Sequence, residues 1–199
     1  LRGMFDGPST VPLTFDGPGL VLDLSAVYGN RDALPLVMVA AAAWLRELMA
    51  CDGPQRIQIL DEAWALLGHT HTAAYLQECW KLGRAKGIAN IGVLHRTSDL
   101  GAQADDGTAL AKIASGLLAD SATKIILGQD PKELAGAADS FGLTDAEIEL
   151  VGHLHPARAL WKIGGHTAVV QHLLAPSEVA LCDTDQKMIV RRDTQPDAA

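Results

Sequence analysis

The sequence predicts an α/β fold built on a mostly parallel sheet, with an antiparallel hairpin near its C-terminal end. Two observations support this prediction. Short runs rich in Ile, Val and Leu recur along the chain, and helix-like segments separate them. Such unbroken apolar runs are typical of strands that are buried on both faces of a parallel sheet. The last third instead carries two strand-like runs on either side of Gly164-Gly165, which indicates a hairpin.

The first fifty residues predict loops, one strand and one long helix. Residues 1–19 contain three breaks rich in Gly and Pro, so we expect loops there. Residues 20–24 predict a short strand. Asp32 is expected to cap a helix over residues 33–50, which is apolar on nearly every side and should be packed between layers. Its apolar run is too short to cross a bilayer, which takes about 20 residues.

The elements that follow alternate regularly between strand and helix. We predict three strands, at residues 56–60, 88–94 and 123–127. Helices are expected at residues 71–86, 107–118, 131–138 and 145–151. The hairpin would pair residues 157–163 with 167–173.

No change of composition marks a linker, so we predict a single domain over residues 1–199. Its predicted parts are a loop-rich entry segment, an α/β core, a hairpin extension and a tail, at residues 1–19, 20–155, 156–185 and 186–199.

Composition and charge exclude several classes of protein. Hydrophobic residues make up 48% and charged residues 20%, as in ordinary folded domains. The net charge of −8 disfavours non-specific binding of nucleic acid by the chain as a whole. Three scattered cysteines predict reduced thiols in a cytosolic protein. The chain starts with Leu1 and has no signal peptide, so we expect a piece of a longer protein.

The strongest chemical motif is the acidic pair Asp61-Glu62, which directly follows the strand at residues 56–60. Ligands of α/β proteins bind at the carboxyl ends of parallel strands. In ATPases this position holds the Walker B acid, which orders Mg²⁺ through its water shell, and an adjacent Glu can activate the attacking water. The alternative is a solvated helix N-terminus, where acids favour the helix dipole.

Two further groups of polar residues are candidates for the same chemistry. His95 closes the neighbouring strand, where ATPases often carry a residue that senses the γ-phosphate. Arg84 and Lys86 lie at the end of a predicted helix, and either could act as an arginine finger-like cation on a neighbouring subunit. The alternatives are a polar strand exit for His95 and favourable helix-dipole contacts for the two cations.

Several segments in colinear order resemble the conjugal-transfer ATPases of type IV secretion systems (TraC/TrbE type), in the HerA/FtsK group of P-loop motors. The first is Ile57-Gln-Ile-Leu-Asp-Glu-Ala-Trp-Ala-Leu-Leu67, which is similar to that family's Walker B segment. The others are residues 83–87, 95–100, 124–130, 141–147 and 169–178, and residues 3–8 near the start. The resemblance covers most of the chain. No G-x-x-x-x-G-K-[ST] phosphate loop occurs in the 199 residues.

The resemblance implies a three-layer RecA-like P-loop core, of which this chain would be the later portion. Asp61 would bind ATP-associated Mg²⁺ through water, and Glu62 would polarise the attacking water. Arg84 would be the first candidate for a trans-acting finger and Lys86 the second. The family usually has Gln where His95 stands, which weakens a sensor role for His95. Without the phosphate loop we expect the chain alone to hydrolyse ATP negligibly.

The resemblance also implies partners and a location for the full-length protein. We expect a homo-oligomer, specifically a hexamer, that works with secretion-channel proteins at the inner face of the bacterial membrane. Membrane association would come through those partners. Two alternatives stay open: a DNA-translocating motor or coupling protein of the same group, which would contact nucleic acid directly, and a non-catalytic assembly module of the same fold.

Overall fold

The chain has a mixed α/β fold in which strands and helices alternate as the sequence predicts. A computed structural model describes residues 6–8, 17–30, 32–50, 54–62, 70–94 and 109–182. The helices are α1 (Ala33–Ala50), α2 (Thr70–Leu82), α3 (Ala109–Asp120), α4 (Pro131–Phe141), α5 (Asp145–Gly152) and α6 (Pro176–Cys182). The strands are β1 (Arg56–Leu60), β2 (Ile88–Gly92), β3 (Thr123–Leu127), β4 (Arg158–Ile163) and β5 (His166–Gln171). None of the described helices is long and apolar enough to cross a membrane.

The contacts of the chain form two compact units, which we describe separately. The first unit comprises Leu1–Ser121 with Asp139–Phe141. The second comprises Ala122–Ala138 with Gly142–Ala199. That the whole chain forms one domain stays a prediction.

The first unit is built on a parallel pair of strands. β1 and β2 run in register from Arg56 opposite Ile88 to Leu60 opposite Gly92. Side chains alternate between the two faces of the pair. On one face Gln58 and Ile88 are buried. The other, which we call the open face, has apolar side chains with large exposed fractions: Ile57, Ile59, Ile91 and Val93.

Two helices pack over the face of the strand pair on which Gln58 and Ile88 are buried. Leu76 and Ala73 of α2 form a buried cluster with Ala114 of α3. The small alanine side chains let the two helices approach closely. Partly buried side chains complete this core: Leu60, Trp80, Ile113 and Leu117. The Trp80 indole N–H donates a hydrogen bond of 2.9 Å to Ser121 Oγ. This bond ties the end of α2 to the segment that follows α3.

The long helix α1 is confirmed, but its predicted cap is wrong. Asn30 Oδ1 accepts hydrogen bonds from the backbone N–H groups of Asp32 (3.1 Å) and Ala33 (3.0 Å). The Asn30 carbonyl accepts the first helical bond, from Leu34 N–H at 2.9 Å. Asn30 is therefore the N-cap and Asp32 lies inside the first turn. Asn and Asp cap helices equally well, so the sequence did not separate them.

The strand predicted at residues 20–24 is also wrong. These residues belong to no strand, and Val21 is 88% exposed. Asp23 Oδ1 accepts a hydrogen bond of 2.9 Å from Ser25 N–H, and Val27 N–H donates to the Leu24 carbonyl at 3.0 Å. The Asp side chain therefore stabilises a turn, and a strand without a paired neighbour has no ladder to stabilise it.

The second unit is built on an antiparallel sheet with the strand order β3-β4-β5. The predicted hairpin is confirmed, with β4 and β5 joined through Gly164-Gly165. Gly164 has φ +58°, a conformation that glycine adopts without strain. β3 pairs antiparallel with β4, and the sequence pattern did not indicate this pairing. The core of the unit contains Ile126, Val151 and Leu160, all buried.

The two helices between β3 and β4 have well-formed ends. Asp130 caps α4 by accepting a hydrogen bond from Lys132 N–H, and Gly142 ends that helix with φ +61°. Thr144 and Glu147 form a reciprocal capping box at the start of α5. The start of each helix and the end of α4 are therefore set by residues that are close to them in the sequence.

Candidate active site

The acidic pair lies at the carboxyl edge of the parallel strands. Asp61 and Glu62 directly follow β1, and Val93 N–H donates a hydrogen bond of 2.9 Å to the carbonyl of Leu60. The exits of β1 and β2 are therefore tied together at the same edge. This is the edge at which open α/β sheets bind their ligands.

Glu62 has an unusual backbone conformation. Its φ is +52°, in the left-handed region that non-glycine residues seldom adopt. The turn is supported locally, because Asp61 Oδ1 accepts a hydrogen bond of 3.1 Å from Glu62 N–H. Backbone strain of this kind is concentrated at functional sites. The left-handed backbone at Glu62 therefore marks the acidic pair as a candidate functional turn.

The carboxylate of Asp61 suits an indirect contact with Mg²⁺. It is exposed, and Oδ1 is engaged by the backbone of the next residue. No group of three or more His, Cys, Asp or Glu side chains in the described part of the chain could hold a metal ion. Mg²⁺ keeps several waters and takes one or two carboxylates together with substrate phosphates. One exposed carboxylate fits that role.

The basic candidates lie at the opposite, amino edge of the same strands. Arg84 and Lys86 belong to a short 3₁₀ turn that precedes β2, whose first residue is opposite Arg56. The five residues of β1 separate this turn from Asp61, a distance of about 16 Å at 3.3 Å per residue. The chain therefore does not bring Arg84 or Lys86 to its own acidic pair.

The two cations of this turn differ in their contacts. Lys86 Nζ lies 3.7 Å from Glu78 Oε1, and Arg46 Nη2 lies 2.9 Å from Glu78 Oε2. Arg84 is exposed, and its guanidinium makes no ion pair or side-chain hydrogen bond within the described residues. His95, the sensor candidate, lies outside the described residues.

A shallow depression lies at the amino edge. It is lined mainly by the end of α2 and the following turn, including Tyr75, Glu78, Cys79 and Lys86. Burial raises the pKa of the Cys79 thiol, which disfavours a nucleophilic thiolate there. The depression lies at the edge away from Asp61 and Glu62, so it is not a candidate nucleotide site.

Sequence reasoning missed the polar residues of the strands. Gln58 is buried in β1, and its Nε2 lies 3.0 Å from Tyr75 Oη of α2. Asn90 of β2 donates a hydrogen bond of 2.7 Å to the Cys79 carbonyl. Their signal was present in the sequence, because Gln and Asn interrupt two otherwise apolar runs.

A second polar network was also missed, in the second unit. Glu147 accepts hydrogen bonds from Lys162 Nζ, Thr167 Oγ1 and Thr144 N–H, each at 2.8 Å. The Lys162 ammonium, the Thr144 N–H and the Thr167 hydroxyl lower the pKa of Glu147 to about 2. Every oxygen of this carboxylate is engaged, so we interpret the network as structural.

The chain is similar to a known secretion system protein in sequence and to a solved structure in fold. It is 25% identical over 167 residues to the type IV secretion system protein CagE of Helicobacter pylori. That match covers 84% of the chain and 16% of CagE. VirB4 of Thermoanaerobacter pseudethanolicus superposes with a TM-score of 0.67 and 20% identity, over 79% of the chain and 42% of that protein's chain. No protein-family profile matches the chain.

These similarities agree with the predicted fold class. The likeness to VirB4 confirms a RecA-like α/β core with an antiparallel C-terminal hairpin, of which this chain spans a part. Neither similarity favours a DNA-translocating motor or a non-catalytic module. The chain is thus similar to a type IV secretion system protein in sequence and to VirB4 in fold, and the resemblance inferred from its sequence is confirmed.

Proposed function

We propose that the chain supplies the Walker B half of an ATP-hydrolysing motor that powers type IV secretion or conjugation. The observation that carries the proposal is the pair Asp61-Glu62 at the carboxyl edge of parallel strands, in a chain similar to CagE and VirB4. Fold alone does not determine function, and the acidic pair supplies the chemistry that the fold does not.

Each carboxylate has its own role in this proposal. Asp61 would hold Mg²⁺ indirectly, by accepting hydrogen bonds from water bound to the ion. Glu62 accepts a proton from, or polarises, the attacking water. Bound Mg²⁺ would neutralise charge that develops on the phosphate oxygens. The sharp turn at Glu62, with φ +52°, supports a division of labour between two adjacent residues.

The cation at the γ-phosphate would come from a neighbouring subunit. Arg84 lies at the amino edge, about 16 Å from the acidic pair of its own chain. That separation supports a role in trans. The contact of Lys86 with Glu78 favours Arg84 over Lys86 as the finger. A working assembly is then a ring of identical subunits with a site at each interface. The expected hexamer and its secretion-channel partners at the inner membrane face belong to this proposal.

Substitution of Glu62 in the full-length protein tests the catalytic role. Glu62→Gln keeps the size and loses the base, so turnover should fall at least about 100-fold while ATP still binds. Glu149→Gln, an exposed acid of α5, is the matched control and should leave turnover unchanged. ATP binding and phosphate release are measured on the same preparations. Unchanged turnover in Glu62→Gln would exclude Glu62 as the base.

Mixed assemblies test the trans-acting role of Arg84. Arg84→Ala should lower turnover by about 1,000-fold or more, whereas Lys86→Ala should have a small effect. Assemblies that mix Arg84→Ala with Glu62→Gln subunits should regain activity, because some interfaces combine an intact acidic pair with an intact Arg84. If mixing restores nothing, Arg84 does not act across subunits.

The 199-residue chain by itself should hydrolyse ATP negligibly. It has no phosphate-loop motif, and the amides and Lys of that loop supply much of the phosphate binding in such motors. The measurement is phosphate release by the purified chain against the full-length protein. Robust turnover by the chain alone would contradict the proposal.

A further inference from the structure

The turn that carries Arg84 is held rigidly by its backbone. The Gly83 carbonyl accepts hydrogen bonds from Lys86 N–H (3.0 Å) and Ile88 N–H (2.8 Å). Gly87 closes the turn with φ +66°, and its carbonyl accepts a bond of 3.1 Å from Arg56 N–H of β1. The segment between α2 and β2 is therefore attached to both strands of the sheet.

Gly83 and Asn90 fit against each other closely. A Cβ atom at position 83 would lie 2.4 Å from Asn90 Nδ2, 2.7 Å from the Cys79 carbonyl oxygen and 2.9 Å from the Ile88 carbonyl oxygen. The same Asn90 Nδ2 donates a hydrogen bond of 2.7 Å to the Cys79 carbonyl. The Asn90 amide thus crosses from β2 to the last turn of α2 through space that only a glycine leaves open.

Asn90 is an unfavourable residue for its position. Asn is depleted in strands, and β2 is otherwise an apolar run. Its Oδ1 is buried and accepts no hydrogen bond within the described residues, which is costly. Positions that break a local rule at a cost are expected where function requires them.

The contacts of Glu78 add a second constraint on the turn. Glu78 binds Lys86 on the turn and Arg46 on α1. The Lys86 side chain is therefore drawn back toward α2, while Arg84 is left exposed on a fixed backbone. A cation presented from a rigid element loses less freedom when it meets its target.

We propose that Asn90 and Gly83 form a positioning lock that fixes the direction in which Arg84 is presented to the neighbouring subunit. The proposal rests on the proposed trans-acting role of Arg84. Asn90 is a positioning residue, since it acts through the turn and touches no reacting atom. Loss of the lock would leave the acidic pair of the same subunit intact. It would impair only the Arg84 that this subunit presents to its neighbour.

Asn90→Leu in the full-length protein is the test variant. Leu keeps most of the volume, and it removes both the donor and the buried Oδ1, so the melting temperature should change little. The kcat should fall about 100-fold with the KM for ATP unchanged, because a misplacement of about 1 Å can cost that much. Gln58→Leu is the matched control: a buried polar residue on the same face of the adjacent strand, whose side chain bonds to Tyr75 of α2.

Mixed assemblies separate positioning from a merely structural role. Asn90→Leu subunits should regain activity with Glu62→Gln subunits and should not regain it with Arg84→Ala subunits. Wild-type kcat in Asn90→Leu, or no recovery with Glu62→Gln, would overturn the lock while the Arg84 role stands. If Arg84→Ala with Glu62→Gln also fails to recover, the proposed trans-acting role falls first.

Gly83→Ala provides a second variant should Asn90→Leu fail to assemble. The added methyl group must displace Asn90 or the turn, so the same finger-side defect is expected in mixtures. Gly116→Ala in α3 is its control, because a Cβ there meets nothing within 4 Å. Equal behaviour of Gly83→Ala and Gly116→Ala would overturn the proposal.

Discussion

The two units of the chain treat their buried polar groups differently. In the first, the buried groups are neutral: Gln58 pairs with Tyr75, and Asn90 has a buried Oδ1 that accepts no hydrogen bond from any described residue. In the second, the buried group is charged, and Glu147 is fully engaged by Lys162 and its other partners. A buried acceptor without a donor, such as Asn90 Oδ1, lowers stability, whereas a carboxylate whose oxygens are all hydrogen-bonded does not carry that cost. The unit that contains the buried Asn90 acceptor, and so loses stability to it, is the unit that contains the acidic pair.

The largest expected effects are in the two cores. Leu160 in the second unit is 0% exposed and Leu76 in the first is 1% exposed. Replacing either with Ala should lower the free energy of unfolding by about 3 kcal/mol, since it removes buried methyl groups and leaves a cavity. Hydrogen exchange should rise mainly in β3–β5 for Leu160→Ala and in α2, β1 and β2 for Leu76→Ala. If either variant raised hydrogen exchange equally in both units, the two units would not differ in the way described.

The second expected effect is at acidic pH and belongs to the second unit. The pKa of Glu147 is lowered from 4.5 to about 2, so its contribution to stability is complete above pH 4.5. It should be lost as the pH falls from 4.5 through about 2, because the unfolded chain binds the proton first. Glu147→Gln should cost about 2 kcal/mol at pH 7. Denaturant unfolding at pH 7 and pH 2 checks this, and an equal cost at both would contradict it.

The third expected effect is at alkaline pH and belongs to the first unit. Burial raises the pKa of Tyr75 above its ordinary value of 10.0. The neutral phenol is favoured by the fold, so stability should be lost as the pH rises past 10.0 and the unfolded chain ionises. Tyr75→Phe removes this dependence and costs about 1.5 kcal/mol at pH 7, since Gln58 loses its partner. An unchanged alkaline slope in Tyr75→Phe would show that another group is responsible.

The smallest expected effect concerns the strained turn at the acidic pair. Glu62 has φ +52°, which glycine adopts freely and alanine does not. Glu62→Gly should therefore be about 1 kcal/mol more stable than Glu62→Ala, the reverse of their order in a helix. Thermal unfolding of the two variants measures the difference and cancels the loss of the carboxylate. Equal stabilities would mean that the turn relaxes when the side chain is removed.

Local patterns in the sequence predicted most elements correctly. The strands β1 and β3 were predicted residue for residue, and α1, β2 and the hairpin were predicted within a few residues. The acidic pair was placed correctly at a strand end because the motif is contiguous. These features depend on neighbours along the chain.

Features that depend on distant partners were not predicted. The pairing of β3 with β4 joins segments more than thirty residues apart. Glu147 meets Lys162 only in the fold, although Thr144-x-x-Glu147 was visible as a capping box. The close fit of Asn90 against Gly83 forms only in the folded chain, where the end of α2 packs against β2. The apolar runs of β1 and β2 predict cover on both faces, yet Ile57 and Ile59 are 68% and 64% exposed.

The edge-on contact between Trp161 and His172 gives the protein a built-in optical reporter. The Trp161 indole N–H donates to His172 Nε2 at 2.9 Å, and the ring centroids are 5.7 Å apart at an angle of 80°. Of the four tryptophans in the sequence, Trp161 alone belongs to the second unit. In a chain with Phe at positions 44, 64 and 80, all tryptophan emission would therefore come from the β4 strand. Its fluorescence would follow the loosening of that sheet without a signal from the parallel strands or their acidic pair.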